Sequence, residues 1–155
     1  MFLGTRLGLG VRALYELAIL PGRRSAVRDL AQACGTTEAV LRRILLRLRA
    51  AGYLEAQKGR AGGFRLVQDP QAIRIAAVAQ VLEEEPVLTL GRPRRGLGPL
   101  PPDCPTLPFW QALEERFLAE LDKATLADVI ALAGEAARSA GRARPKARSR
   151  RRSRR

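Results

Sequence analysis

The amino-acid sequence predicts a mainly α-helical fold with one small β-hairpin. Three observations lead to this prediction: two short amphipathic helices a few residues apart, a glycine-rich basic hairpin after them, and a long helix with an apolar stripe in the second half of the chain. Elements in this order form a winged helix-turn-helix domain, which we place at residues 1–85, followed by a long C-terminal helix that serves in dimerisation.

The first two helices follow from apolar residues at helical spacing. The pattern predicts one helix from Arg6 or Gly10 to Leu20 and a second from Ala26 to Ala33. A serine hydroxyl accepts hydrogen bonds from the N–H groups of a first helical turn, so Ser25 is expected to cap the second helix. The side chains expected in the core are Val11, Leu14, Tyr15, Ala18, Val27, Leu30 and Ala31.

The third helix combines an apolar stripe with an arginine-rich outer face, and Thr36 or Thr37 is expected to cap it. Arg42, Arg43 and Arg49 fall away from the stripe, so their guanidinium groups face solvent. A helix of this kind, second in a helix-turn-helix, is predicted to enter the major groove of DNA, where arginine bonds base edges or phosphates. The stripe has the spacing i, i+3, i+4, i+7 and consists of Leu41, Ile44, Leu45 and Leu48.

After Gly52 the pattern of the chain changes from helical to alternating. Strands are predicted at residues 53–57 and 64–67, and the loop between them holds three glycines together with Lys58 and Arg60. A flexible cationic loop of this kind is typical of a wing that follows phosphates or inserts a cation into the minor groove. The side chains expected on the core face of the hairpin are Leu54, Ala56, Phe64 and Leu66.

The second half of the chain is predicted to begin with a helix from about Ile73 to Glu85, with Ile75, Val78 and Leu82 facing inward. Residues 86–104 are rich in proline, glycine and arginine, and we expect them to form a flexible loop.

Residues 105–137 are predicted to form two dimerisation helices. A long helix starts at Thr106, and Thr125 with Asp128 resembles a capping box that opens a last helix. The long helix is too apolar for a solitary surface helix, so packing against a second copy is the simplest way to bury its stripe. That stripe consists of Trp110, Leu113, Phe117 and Leu121.

The net charge of +13 is divided unevenly along the chain: residues 1–82 carry +8, residues 83–137 carry −5 and residues 138–155 carry +10. The last segment has ten basic residues and no acidic one, so we expect a disordered basic tail. This tail is either merely solvated or adds phosphate contacts that do not depend on base sequence.

Missing residue types exclude several classes of function. The chain contains no histidine, the commonest general base and metal ligand, so an enzyme is not expected. Its two cysteines, Cys34 and Cys104, make neither a disulfide framework nor a zinc-binding spacing. Without a signal peptide or a membrane-spanning apolar run, we expect a cytoplasmic protein with no membrane partner.

Two motifs carry a resemblance to a known family. These are the glycine-rich wing Lys58–Leu66, and Cys104-Pro105-Thr106 ahead of Phe109-Trp110. In these motifs and in the order of its elements, the chain resembles the IscR, NsrR and CymR family of bacterial transcription regulators over about residues 5–133. The resemblance implies a winged-helix homodimer that crosses its long C-terminal helices and reads a palindromic operator.

By position in the family pattern, three residues match the base-reading part of the recognition helix, and two match the wing contact. The base-reading positions are Val40, Arg42 and Arg43, and the wing positions are Lys58 and Gly59.

The chain departs from the family pattern at the cofactor. Many members hold an iron–sulfur cluster with three cysteines in the loop before the long helix, together with a further side chain such as histidine. Only Cys104 stands in this loop here, and one thiol per subunit is too few, so no cofactor is expected. For Cys104 two interpretations stay open: a redox sensor that forms a disulfide or sulfenic acid, or a relic with a packing role.

The sequence therefore predicts a sequence-specific regulator of transcription, most simply a repressor, that binds double-stranded DNA as a homodimer. The alternative is a non-specific nucleic-acid-binding protein dominated by its basic tail, which would protect no palindromic site upstream of its own gene. No catalytic or metal-ligating residue is expected. The residues expected to contact DNA are Thr36, Thr37, Val40, Arg42, Arg43, Arg47, Lys58, Gly59 and Arg60.

Overall fold

The computed structural model describes residues 5–20, 22, 24–59, 62–83 and 103–142. Within these residues the fold is mainly helical with one two-stranded antiparallel hairpin, which confirms the predicted fold class. The elements in chain order are α1 (Thr5–Ala18), α2 (Val27–Cys34), α3 (Glu38–Ala50), β1 (Leu54–Gln57), β2 (Gly63–Leu66), α4 (Ile75–Leu82), α5 (Leu107–Lys123) and α6 (Leu126–Arg142).

The helices α1, α2, α3 and α4 and the hairpin share one hydrophobic core. The predicted stripe of α3 is buried in full, and so are the three predicted core residues of α4. Gly10 of α1 lies so close to Leu82 of α4 that a Cβ at this position would collide with the leucine Cδ1. Leu82 is fully buried, so a larger residue at position 10 would force this leucine side chain to move.

The hairpin is tied to the segment in front of α2. Leu54 pairs with Leu66 and Ala56 with Phe64, while Ser25 and Phe64 exchange two backbone hydrogen bonds of 2.9 Å. Gly63, with a φ of 143°, lies against the Ser25 carbonyl and leaves no room for a Cβ. The wing is therefore anchored to the helix-turn-helix at its second strand.

The beginnings of α4 and α6 are held together by backbone pairing. The Ile75 N–H donates to the Ala124 carbonyl and the Leu126 N–H donates to the Ile73 carbonyl, each at 2.9 Å. The expected capping box is present, since Asp128 Oδ2 accepts from the Thr125 N–H and hydroxyl at 2.8 Å. These bonds lower the pKa of Asp128, with the bond from the Thr125 backbone as the largest cause. The second half of the chain is thus attached to the core through α4.

Four expectations about local structure were wrong. Ser25 does not cap α2, because its backbone is extended and paired with Phe64, and the N-cap is Ala26 without a side-chain cap bond. Ala56 of the hairpin is exposed, because it lies on an open cleft between α2, α3 and the hairpin. α4 ends at Leu82, earlier than predicted. α6 continues to Arg142, so residues 138–142 are helical, not part of a disordered tail.

The core face predicted for α1 was correct but incomplete. Leu14 is buried as expected, and Val11, Tyr15 and Ala18 are half-buried and pack against the core. Val11 and Tyr15 also border a groove between α1 and α6. The buried positions of α1 are Leu7, Gly10, Ala13, Leu14 and Leu17. Residues 86–102 of the expected loop and 143–155 of the expected tail lie outside the described residues.

Candidate nucleic-acid interface

The start of α3 is fixed by a side-chain cap, and the structure selects Thr37 of the two candidates. The backbone of Thr37 is extended, and its Oγ1 accepts a hydrogen bond from the Val40 N–H at 3.4 Å. Thr36 is half-buried and its N–H donates to the Ala31 carbonyl at 3.0 Å, which closes the turn after α2. Glu38 in the first turn and the arginines in the last turn complement the helix dipole.

The outer surface of α3 has a central line and two flanks. A helix turns by about 100° per residue, so the side chains opposite the buried stripe are Ala39, Arg43, Leu46 and Ala50, all of them exposed. Leu46 is 46% exposed and follows Arg43 on this line. The remaining arginines divide between the flanks, so the guanidinium groups do not form one cluster.

The flank toward the hairpin borders a cleft between α2, α3 and the wing, which we call the wing cleft. It has a volume of about 510 Å³. Four cationic side chains and one carboxylate, that of Glu38, are among its lining residues. Such a density of guanidinium and ammonium groups favours a polyanion over an uncharged ligand. The cations are Arg28, Arg42, Arg49 and Lys58.

The tip of the wing extends the cationic surface beyond α3. Lys58 and Gly59 are exposed, and Gly59 has a φ of 110°, a conformation that favours glycine. Arg60 lies outside the described residues. The structure therefore brings Lys58 and Gly59 next to Arg42 at one cleft, as their proposed common role requires.

A polar clamp holds the wing in position. Glu55 of β1 accepts two hydrogen bonds at Oε1. One comes from Nε of Arg65, the residue paired with Glu55 on β2, and the other comes from Nη2 of Arg24 at 2.6 Å. The bond from Arg65 and then that from Arg24 lower the pKa of the Glu55 carboxyl. Sequence reasoning missed this clamp, although opposite charges at paired strand positions are a known signal. Arg24, which precedes α2, could not be inferred from the hairpin alone.

The second flank of α3 faces α1 and the end of α4. Arg47 is half-buried and donates from Nη1 to the Leu82 carbonyl at 3.2 Å, so it does not share the wing cleft with Arg42. Val40 is half-buried and lies on the same flank instead of on the outer line. Both residues line a pocket of about 150 Å³ with Arg43 and Arg6, the latter a residue that the sequence did not single out.

The two cysteines lie in different surroundings. Cys104 precedes α5 with its Sγ 3.2 Å from Thr106 Oγ1, and this contact, with the backbone N–H groups of Thr106 and Leu107, lowers the pKa of the thiol. Cys34 ends α2, where burial raises the pKa of its thiol. Both are free thiols.

The residues present do not fit an iron–sulfur cluster. Among the residues that the structure describes, no group of three or more His, Cys, Asp or Glu side chains could hold a metal ion. The full sequence contains no histidine and, besides Cys104, only Cys34, which lies on α2 in the first half of the chain. In the described part of the chain, no helix has the length and apolar character that a membrane span requires.

Comparison with known proteins places this geometry in a family. The sequence profile of the Rrf2 family, described as iron-dependent transcriptional regulators, matches residues 3–132. A protein of Synechocystis sp. strain PCC 6803, named as an HTH-type transcriptional regulator (slr0846), is 33% identical over 132 residues, which span 83% of this chain and 87% of that protein.

Two solved structures share the fold over most of their length. The IscR protein of T. potens superposes with a TM-score of 0.68 and 26% identity, covering 88% of this chain and 90% of that one. CymR of B. subtilis, described as the global cysteine regulator, gives a TM-score of 0.66 with 24% identity, covering 85% and 98%. This chain therefore belongs to the Rrf2 family, whose members are regulators of transcription and not enzymes.

Proposed function

We propose that this protein binds a palindromic DNA operator as a homodimer and represses transcription by occluding a promoter. The observation that carries the proposal is the outer surface of α3, where arginines stand on both flanks of an exposed ridge beside a cationic wing. A helix of this shape fits the major groove, which is about as wide as a helix with its side chains.

In this proposal the wing-side flank and the outer line make the central contacts. Arg42 and Arg43 bond base edges or phosphates from the first half of α3, as their exposure supports. Thr36 and Thr37 lie where α3 would enter the groove, and their backbone or hydroxyl groups approach phosphates there. Lys58, Gly59 and Arg60 carry the wing along the neighbouring backbone or into the minor groove.

The dimer would form through α5. No side chain of this helix that the structure describes is buried, although the helix carries an apolar stripe. Phe109 is 63% exposed, and Leu113 and Leu118 are each 41% exposed. A second copy of the helix is the covering surface that a two-fold palindrome calls for, because each subunit then presents one α3 to one half-site, about 34 Å from the next.

We further propose that the protein works without an iron–sulfur cluster. One thiol in the segment before α5 and no histidine fall short of the usual four ligands. An iron content near one cluster per subunit after anaerobic purification would contradict this. For Cys104, redox sensing and a packing role remain alternatives, and operator binding by the reduced and the peroxide-treated protein separates them.

Footprinting on DNA upstream of the protein's own gene tests the main proposal. In the presence of excess competitor DNA, we expect one protected palindrome with two half-sites about one or two helical turns apart. The second candidate function, non-specific nucleic-acid binding, is favoured by the ten basic residues among the last eighteen. It predicts no discrete footprint, and a strong loss of affinity when residues 143–155 are deleted.

A further inference from the structure

We propose that Arg6, Arg43 and Arg47 form a phosphate-binding pocket on the flank of α3 that faces away from the wing. This pocket would hold the sugar–phosphate strand across the major groove from the strand next to the wing. The inference rests on the DNA-binding function proposed above and extends its interface to α1.

The pocket is formed by three elements, α1, α3 and the end of α4, and part of its lining is apolar. Arg6 comes from the first turn of α1, while Arg43 and Arg47 stand one turn apart on α3. The three arginine side chains line a space of about 150 Å³ together with an apolar floor of Val40, Ile44 and Leu82. An apolar floor lowers the local dielectric, so it strengthens the attraction between the three cations and a bound anion.

Hydrogen bonds to the backbone hold the pocket in shape. The Leu7 N–H donates to Glu83 Oε1 at 2.7 Å, which fixes the first turn of α1, and with it Arg6, against the end of α4. Arg47 donates from Nη1 to the Leu82 carbonyl at 3.2 Å. The close contact of Gly10 with Leu82 sets the distance between the same two helices. The position of Arg6 beside α3 is therefore determined by the fold, not by the reach of a mobile side chain.

The ligand chemistry follows from the shape of the groups and from the groove. Guanidinium groups bind phosphate oxygens through paired N–H donors, which a lysine cannot do. A helix in the major groove has one phosphate strand along each flank, since helix and groove are both about 12 Å wide. The wing-side flank has Arg42, Arg49 and Lys58 for one strand. The Arg6 pocket supplies the matching contacts for the other.

The first test compares two exposed arginines replaced one at a time in the full chain. Arg6→Gln removes the α1 contribution, and Arg74→Gln removes the same charge at the start of α4, where Arg74 pairs with exposed Asp122 at 3.1 Å. We expect operator affinity to fall about tenfold for Arg6→Gln. The slope of log affinity against log salt should decrease by about 0.9. The footprint and base preference should be unchanged, and Arg74→Gln should bind as the parent protein does.

The second test identifies the strand. Single methylphosphonates remove the charge of one phosphate at a time along both strands of the operator. For the parent protein, one or two substitutions on the strand away from the wing should weaken binding, and the same substitutions should have no further effect on Arg6→Gln. Unchanged binding by Arg6→Gln, an equal loss for Arg74→Gln, or undiminished methylphosphonate effects would overturn the proposal.

A loss of operator binding must be separated from other outcomes. Inorganic phosphate added to the binding reaction competes with the operator for any anion site. If Arg6→Gln leaves operator affinity intact but abolishes this competition, the pocket binds a free anion and the inference is wrong. If the parent protein itself gives no footprint, the proposed function fails, which is a different result. Far-ultraviolet circular dichroism of both variants shows that the comparison is made between folded proteins.

Discussion

The helices α3 and α5 both have apolar stripes at helical spacing, yet the structure buries the stripe of α3 completely and that of α5 only in part. Leu41, Leu45 and Leu48 of α3 are fully buried within their own chain. On α5, Leu113 is 41% exposed and no described side chain is buried. An apolar stripe therefore predicts that a helix face is covered, but it does not predict whether the same chain or a second one covers it.

The largest effect is expected from the buried stripe. Leu45→Ala should lower the free energy of unfolding by about 2–5 kcal/mol, because it removes packed methyl groups and leaves a cavity. Leu46→Ala is the matched control. Leu46 follows Leu45 in sequence but is 46% exposed, so its truncation should change the free energy of unfolding by no more than about 0.5 kcal/mol. Urea unfolding at one protein concentration measures both. Equal losses for the two variants would mean that the assignment of faces on α3 is wrong.

The partly exposed stripe of α5 should contribute to assembly of the dimer more than to folding of the subunit. Leu113→Glu places a charge in the surface that we propose for the dimer, and operator affinity should fall about a hundredfold because two linked half-site contacts become independent. Gln111→Glu puts the same charge on an exposed position of α5 away from the stripe. Sedimentation equilibrium gives the mass of each variant. If the Leu113→Glu protein remains dimeric, α5 does not form the dimer interface.

The comparison also explains how much the sequence could predict. The stripe of α3 was predictable, because this helix packs on one side and so leaves a clear period in the sequence. The two strands of the hairpin were also predictable, but the exposed position of Ala56 was not. The face of α1 was predicted only in part, because Val11 and Tyr15 pack against the core and also border α6, while the buried Leu7 and Leu17 were not predicted. Two-sided burial removes the contrast between apolar and polar positions on which periodicity depends.

The candidate site was predictable in its residue types but not in its arrangement. The arginines of α3 and Lys58 of the wing were identified from local patterns. The pairing of Arg47 with the Leu82 carbonyl joins residues 35 positions apart, and Arg6 reaches the same pocket from α1. Contacts between distant segments are set by helix packing, which a single sequence does not encode in any local period.

A smaller effect should come from the wing clamp. Glu55→Gln weakens the bonds from Arg65 and Arg24, so it should lower both the stability of the hairpin and operator affinity. The folded-state pKa of Glu55 is lowered, so its contribution is present above its usual pKa of about 4.3 and is lost as the pH falls through the lowered value.

The difference in unfolding free energy between parent and Glu55→Gln should therefore be present at neutral pH and disappear in acid. Urea unfolding across this pH range measures it. Glu120→Gln is the control from the α5 region, where Glu120 pairs with Lys123 at 2.7 Å between two largely exposed side chains. Such a pair contributes little. A Glu55→Gln difference that persists below the lowered pKa would show that the carboxylate charge is not its cause.

The smallest effect is expected from the two thiols, that of Cys34 at the end of α2 and that of Cys104 before α5. Hydrogen bonds from Thr106 lower the pKa of Cys104, whereas burial raises the pKa of Cys34. Since the thiolate is the reactive form, Cys104 should react with iodoacetamide at neutral pH about tenfold faster than Cys34. Peptide mass spectrometry over time measures both rates in one sample. Thr106→Val removes the hydroxyl contact, so it should slow the reaction of Cys104 with iodoacetamide and leave that of Cys34 unchanged. If the Cys104 rate does not change, exposure alone explains its reactivity.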